Sequence, residues 1–201
     1  MSQAARSPEG LQQGASGISP SKLAHFVCFT DQFGEMRSWY MTVLNASPAI
    51  DQEQLCFLAY DNEHHRVGII RSPGPMSARP PTARSVHHIA FTYESFEHLF
   101  GTYLRLRASG IEPFWCVNHG PTSSLYYRDP DGNRIELQID NLTNAELDEF
   151  FASGAYVENP IGIIFDPDEW IGRFVAGASV KVITERPALP AGLTPFEMIR
   201  D

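Results

Sequence analysis

Two stretches of the chain alternate apolar and polar positions in the same way, and a shift of 63 residues lays one on the other. "HFVCFT" (25–30) and "HHIAFTY" (87–93) both read as strands, in which neighbouring side chains point to opposite faces. Each runs through a short turn into an apolar stripe, Phe33, Met36, Tyr40 and Val43 in the first copy and Phe96, Leu99, Tyr103 and Leu106 in the second. That i, i+3, i+7, i+10 spacing predicts a helix burying one face. Short strand candidates follow each helix. They are "LCFLAY" (55–60) and "RVGIIRS" (66–72) in the first copy, and "FWCVN" (114–118), "SSLYYR" (123–128) and "RIELQI" (134–139) in the second. "DPDGN" (129–133) separates the last two as a turn, with Gly132 free to take a positive φ.

The repeat predicts an α+β fold of two tandem β-α-β-β-β modules, residues 21–72 and 86–140, whose mixed sheet curves partly open around a cavity. The proline-rich stretch 73–85 reads as a linker, and residues 1–20, rich in Ser, Gly, Gln and Pro, as a flexible tail. Residues 141–201 form a helical extension and arm. Thr143 and Glu146 make a capping-box pair, and Asp166, Pro167 and Gly177 bracket a second helix. Stretch 186–196 is expected to be an extended arm. The extension is expected to pack on its own domain or to form a subunit contact in a homo-oligomer, rather than a lid.

Composition narrows the function classes. A hydrophobic content of 43% supplies a core, while a net charge of −9 argues against nucleic-acid and anionic-membrane partners, which need clustered Lys and Arg. The three cysteines, Cys28, Cys56 and Cys116, are scattered and odd in number. They form no disulfide framework or zinc spacing, and a reducing cytoplasmic setting fits them. No apolar run is long enough to span a bilayer.

Strand parity then brings out the candidate chemistry. In "RIELQI", Ile135, Leu137 and Ile139 share the face expected to meet the helix, which leaves Glu136 on the other. In "HHIAFTY", Ile89, Phe91 and Tyr93 make the bulky face, so His88 projects with Ala90 and Thr92 on the side of Glu136. The repeat carries His25 to the position of His88, although Val27 and Phe29 share its face and periodicity alone would not choose it. His25, His88 and Glu136 are therefore a candidate metal set.

The tandem modules and "YYRDPDGNRIEL" (126–137) resemble the vicinal oxygen chelate superfamily. Within it, "DNEHHRVGI" (61–69), "VHHIAF" (86–91) and "NHGPTSSLYYRDPDGNRIEL" (118–137) resemble type I extradiol ring-cleavage dioxygenases of a small, one-domain type. The resemblance covers residues 22–140. It implies a non-heme Fe(II) site held by His25, His88 and Glu136, with Mn(II) accepted by the same donors, and insertion of O₂ into a small aromatic diol of the catechol type. It also implies His65 as the acid–base histidine, Tyr126 as a hydrogen-bonding active-site tyrosine, and His119 as a second active-site histidine. His119 lies seven residues before Tyr126, where some members show nine. His64 and His87 are expected to point away. Two alternatives remain: a glyoxalase-like isomerase or lyase of the same superfamily, and a metal-free small-molecule binding or resistance protein. The first would take a ligand from the last strand of each module, yet the repeat sets Pro73 opposite Glu136, and 66–73 holds no carboxylate.

Overall fold

A computed structural model describes residues 18–80 and 82–200, so nearly all of the expected N-terminal tail lies outside the described residues. The first module runs β1 (Phe26–Thr30), α1 (Phe33–Val43), β2 (Ser47–Asp51), β3 (Leu55–Ala59) and β4 (Val67–Arg71). The second runs β5 (Ile89–Thr92), α2 (Phe96–Ala108), β6 (Trp115–Asn118), β7 (Thr122–Arg128) and β8 (Arg134–Asp140). In each, the first strand pairs in parallel with the last, and the remaining pairs are antiparallel. The result is two open mixed sheets, ordered β1-β4-β3-β2 and β5-β8-β7-β6-β9, as the repeat predicts.

The helix stripes fall where the spacing places them. Met36, Tyr40 and Val43 of α1 and Leu99 and Leu106 of α2 are buried in one core with Val67, Ile69, Ile135 and Leu137. Burial of each such aliphatic side chain is worth about 1.5–3 kcal/mol, so these two stripes are what hold helices to sheets. Ser95 caps α2 by accepting from the His98 N–H, and Arg105 and Arg107 suit the negative end of its dipole. Strand β2, "SPAID", carries no apolar alternation and is exposed throughout. It lies at the sheet edge with an irregularity between Pro48 and Ile50, the place where a residue without an N–H is tolerated.

The turn "DPDGN" joins the modules. Tyr40 Oη donates to Asp129 Oδ2 (2.9 Å), Thr30 Oγ1 to Asp131 Oδ1 (3.0 Å), and Gln32 Nε2 to the Pro130 carbonyl (3.0 Å). Gly132 takes φ +79°, and the buried Asp129 carboxylate also accepts from the Asn133 N–H (2.8 Å). Burial raises the Asp129 pKa. Across the helix pair, the Arg105 guanidinium donates to the Thr42 and Val43 carbonyls at the end of α1.

The C-terminal extension holds α3 (Asn144–Ala152), α4 (Ala155–Glu158), β9 (Ile163–Ile164), α5 (Pro167–Val175) and α6 (Val180–Ile183). Thr143 and Glu146 form the expected capping box, and Asp166 caps α5. Trp170 of α5 stacks on Phe165 at 3.8 Å and is buried in the main core, so the extension packs on its own chain. Strand β9 was not legible in the sequence: two residues pair with β6 as Val117↔Ile164 and Asn118↔Ile163 and widen the second sheet. The arm ends in a 3₁₀ turn, Pro195–Met198, capped by Thr194 and Glu197. Among the described residues no helix is long and apolar enough to cross a membrane.

Candidate active site

His88 sits one residue before β5, and the parallel register Ala90↔Glu136 puts His88, Ala90 and Glu136 on one face. The side chains meet: His88 Nε2 lies 3.0 Å from Glu136 Oε2. Glu136 is buried, and its neighbours Ile135 and Leu137 face the helices. His87 is exposed and lies beside Arg134, while its Nδ1 comes within 2.8 Å of His88 Nδ1.

Tyr126 and His119 stand on the same sheet. The pairing Tyr126↔Glu136 between β7 and β8 places the phenol on the face of the carboxylate. Burial, then the Glu136 charge, raises the Tyr126 pKa, which keeps the hydroxyl protonated at neutral pH. The Tyr126 ring lies 5.5 Å from the His88 ring and stacks on Trp115 at 4.7 Å. His119 Nε2 is 3.2 Å from the Tyr126 hydroxyl. Burial lowers the His119 pKa, so its ring is neutral near pH 7.

His65 and His25 form a second group, on the first module. His65, just before β4, is buried and stacks on Phe57 at 4.2 Å with the rings 9° apart. Gly68 makes room for this stack. A Cβ there would come within 3.1 Å of Val27 and 3.3 Å of the Phe57 ring. The His25 ring lies 4.4 Å from that of His65, and His64 Nδ1 lies 2.6 Å from His65 Nδ1. Burial lowers the His65 pKa, and the neighbouring His25 and His64 push the same way.

The structure thus brings His88, Glu136, Tyr126 and His119 together, and sets His25 against His65. Two donors about 2.1 Å from one ion and at right angles to each other lie about 3.0 Å apart. His88 and Glu136 have that spacing. His25 does not complete it: among the described residues no group of three or more His, Cys, Asp or Glu is arranged to hold one ion. The donors present fit two positions of a facial triad and not the third. A cavity of about 920 Å³ runs between β1 and the linker, lined by Val27, Phe29, Met76, Arg84 and Ile89, and of the six candidate residues only His88 reaches it.

Three groups outside the sequence-predicted set hold the His119 end of the site: Asn159, Ile161 and Arg186. Asn159 in "NPIG" carries a turn signal, but nothing in the pattern around Arg186 points to it.

This fold and site define a class. Residues 22–137 match the family model for the Glyoxalase/Bleomycin resistance protein/Dioxygenase superfamily, and the chain belongs to that superfamily. The chain is 42% identical over 164 residues to biphenyl-2,3-diol 1,2-dioxygenase 2 of Rhodococcus globerulus, covering 81% of this chain and 86% of that protein. It is 42% identical over 167 residues to biphenyl-2,3-diol 1,2-dioxygenase 3 of the same organism, covering 82% and 88%. A solved structure of lactoylglutathione lyase from Agrobacterium tumefaciens resembles it with a TM-score of 0.48 and 18% identity, over 61% of this chain and 96% of that one.

Proposed function

We propose that this protein is a ring-cleaving dioxygenase acting on a small aromatic diol of the biphenyl-2,3-diol type. The observation that carries the reading is the 42% identity to two such dioxygenases along four-fifths of the chain. His88 and Glu136, with His25 brought in from the first module, would hold a divalent iron or manganese ion. Such an ion, if held there, would supply Lewis-acid activation of a bound diol and O₂ chemistry.

The chain's own groups supply the proton chemistry. His65 is neutral near pH 7 and can accept the proton of one diol hydroxyl, then return it as the ring opens. The protonated Tyr126 hydroxyl, which faces His119 Nε2 in the free protein, can turn its one proton to a diolate oxygen when a diol is bound. His119 Nε2, facing that hydroxyl, orients it. Phe57 and Trp115 stack on His65 and Tyr126 and hold those rings in place.

A second reading is favoured by one observation. His25 stands with His65 rather than with His88 and Glu136, and the described residues hold no three-donor group. On geometry alone, a glyoxalase-like isomerase or lyase, or a metal-free small-molecule binding protein, fits at least as well as the iron mechanism. Anaerobic reconstitution with Fe(II), followed by biphenyl-2,3-diol and O₂, separates the readings. Ring cleavage gives a yellow product with O₂ uptake in step, and about one ion bound per chain. A chain that cleaves no catechol and consumes no O₂, with or without a bound ion, belongs to the second reading.

A further inference from the structure

The residues that hold His119 lie in the C-terminal extension, and they do more than pack. His119 Nδ1 lies 2.5 Å from the Ile161 carbonyl oxygen. A carbonyl only accepts, so in the neutral ring the proton is on Nδ1 and the lone pair is on Nε2. Nε2 is therefore the acceptor for the Tyr126 hydroxyl, 3.2 Å away. The tautomer of a site histidine is chosen by a backbone oxygen from another part of the chain.

That oxygen is itself held. Asn159, buried to 4% exposure, accepts from the Gly162 N–H at 2.8 Å and the Ile161 N–H at 3.2 Å, and donates back to the Gly162 carbonyl at 3.0 Å. Gly162 has φ +112°, and a Cβ there would stand 2.3 Å from the Asn118 carbonyl oxygen, so the turn presses directly on the strand that leads to His119. One side chain ties this turn to the histidine. Arg186 donates to the His119 carbonyl (3.0 Å), the Asn159 carbonyl (2.8 Å) and the Ala155 carbonyl (2.9 Å), and lies over the Phe150 ring at 5.0 Å. A planar guanidinium with five donors can span three carbonyls; an ammonium on a flexible stem holds no such fork.

We infer that Arg186 is a positioning residue. It clamps the Ala155–Gly162 segment against the His119 backbone, so that the Ile161 carbonyl fixes His119 as the Nδ1–H tautomer with Nε2 aimed at Tyr126. The extension is thereby a working part of the site. Only the kinetic consequence rests on the ring-cleavage reading; the tautomer does not.

The test is ¹⁵N-labelled protein without added metal, its histidine rings read by long-range ¹H–¹⁵N correlation at neutral pH, with His119→Gln used for assignment. Wild type should show His119 protonated at Nδ1 and bare at Nε2. Arg186→Gln, folded by circular dichroism, should show the two tautomers exchanging. In the iron-loaded enzyme its kcat for biphenyl-2,3-diol should fall about 10-fold or more with KM within about twofold, because a reacting group is misplaced and the binding surface is kept. Arg200→Gln, an exposed residue of the same extension whose guanidinium bonds the Glu197 and Ile199 carbonyls of its own turn, should leave both unchanged. If Arg186→Gln does not fold, Arg186→Lys is read in its place, since it keeps the charge and loses the fork. A wild-type ring protonated at Nε2 overturns the proposal, and so does a folded Arg186 variant that keeps the single Nδ1–H form or the wild-type kcat. If wild type cleaves no diol, the ring-cleavage reading falls and the tautomer measurement still decides this one.

Discussion

His87 and His88 are the same residue type one position apart, and the strand that follows gives them different work. The register Ala90↔Glu136 carries His88 to the carboxylate, 3.0 Å away, while His87 stays exposed beside Arg134. His88→Ala should therefore abolish retention of a divalent ion, whereas His87→Ala should keep it near wild type, read by elemental analysis of the purified, folded variants. The reverse result would mean a one-residue slip of β5, which would turn Ile89 and Phe91 away from the core. The pair His64 and His65 separates in the same way, with His65 buried on Phe57 and His64 exposed. His65→Gln is expected to lower diol turnover by roughly 10²–10⁴-fold, with the ion retained, since a general acid–base group contributes about that much. His64→Gln should cost far less. Equal losses in steady-state assays of the two variants would remove the acid–base role from His65.

The "DPDGN" turn has a part beyond ending β7. Asp129 takes the Tyr40 hydroxyl from the other module, and Asp131 takes Thr30 and Gln32, so a turn of the second module is the clasp on the first. Tyr40→Phe removes one buried hydrogen bond to a carboxylate and leaves Asp129 its bonds to Asn133 and Asp131. It should cost about 1–2 kcal/mol in urea denaturation, against less than about 0.5 kcal/mol for Tyr156→Phe, a partly exposed tyrosine. A Tyr40→Phe midpoint equal to that of Tyr156→Phe would mean that the clasp carries no stability. These elements also show what can be read from a chain. The two helices and the strands β6, β7 and β8 were legible because their apolar spacing is set by the core they share. The faces of Glu136 and His88 followed from strand parity. Strand β2 was not legible, because an exposed edge strand with Pro48 has no alternation to read. Nor was β9, whose two residues are a strand only because β6 offers them an edge. The association of His25 with His65 was equally out of reach, since it depends on how two side chains turn after the backbone is set. The Arg186 clamp uses only backbone carbonyls as acceptors, and these leave no mark in a sequence.

The extension and the paired modules together bury His65 and partly bury His119, and the ionisation of both must then report on folding. Burial lowers the pKa of His119 and of His65 below the ordinary value of 6.5. In the unfolded chain both rings take up a proton as the pH falls through about 6.5, while in the folded protein they resist it to lower pH. Over that window the unfolded state binds more protons, so stability rises with pH and is lost on acidification. The contribution is complete above pH 6.5 and fades as the pH drops toward the folded-state values. Asp129 acts with the opposite sign, because its raised pKa means that the folded state takes a proton first as the pH falls toward 3.8. A comparison at a single histidine cancels that term. The urea midpoint of wild type should decline from neutral pH to about pH 5.5, and in His119→Asn the decline should be shallower, since one of the two proton-refusing groups is gone. The measurement is a set of urea titrations followed by circular dichroism across that range. Parallel slopes for wild type and His119→Asn would show that His119 titrates alike in both states, and that the extension does not shield it from water.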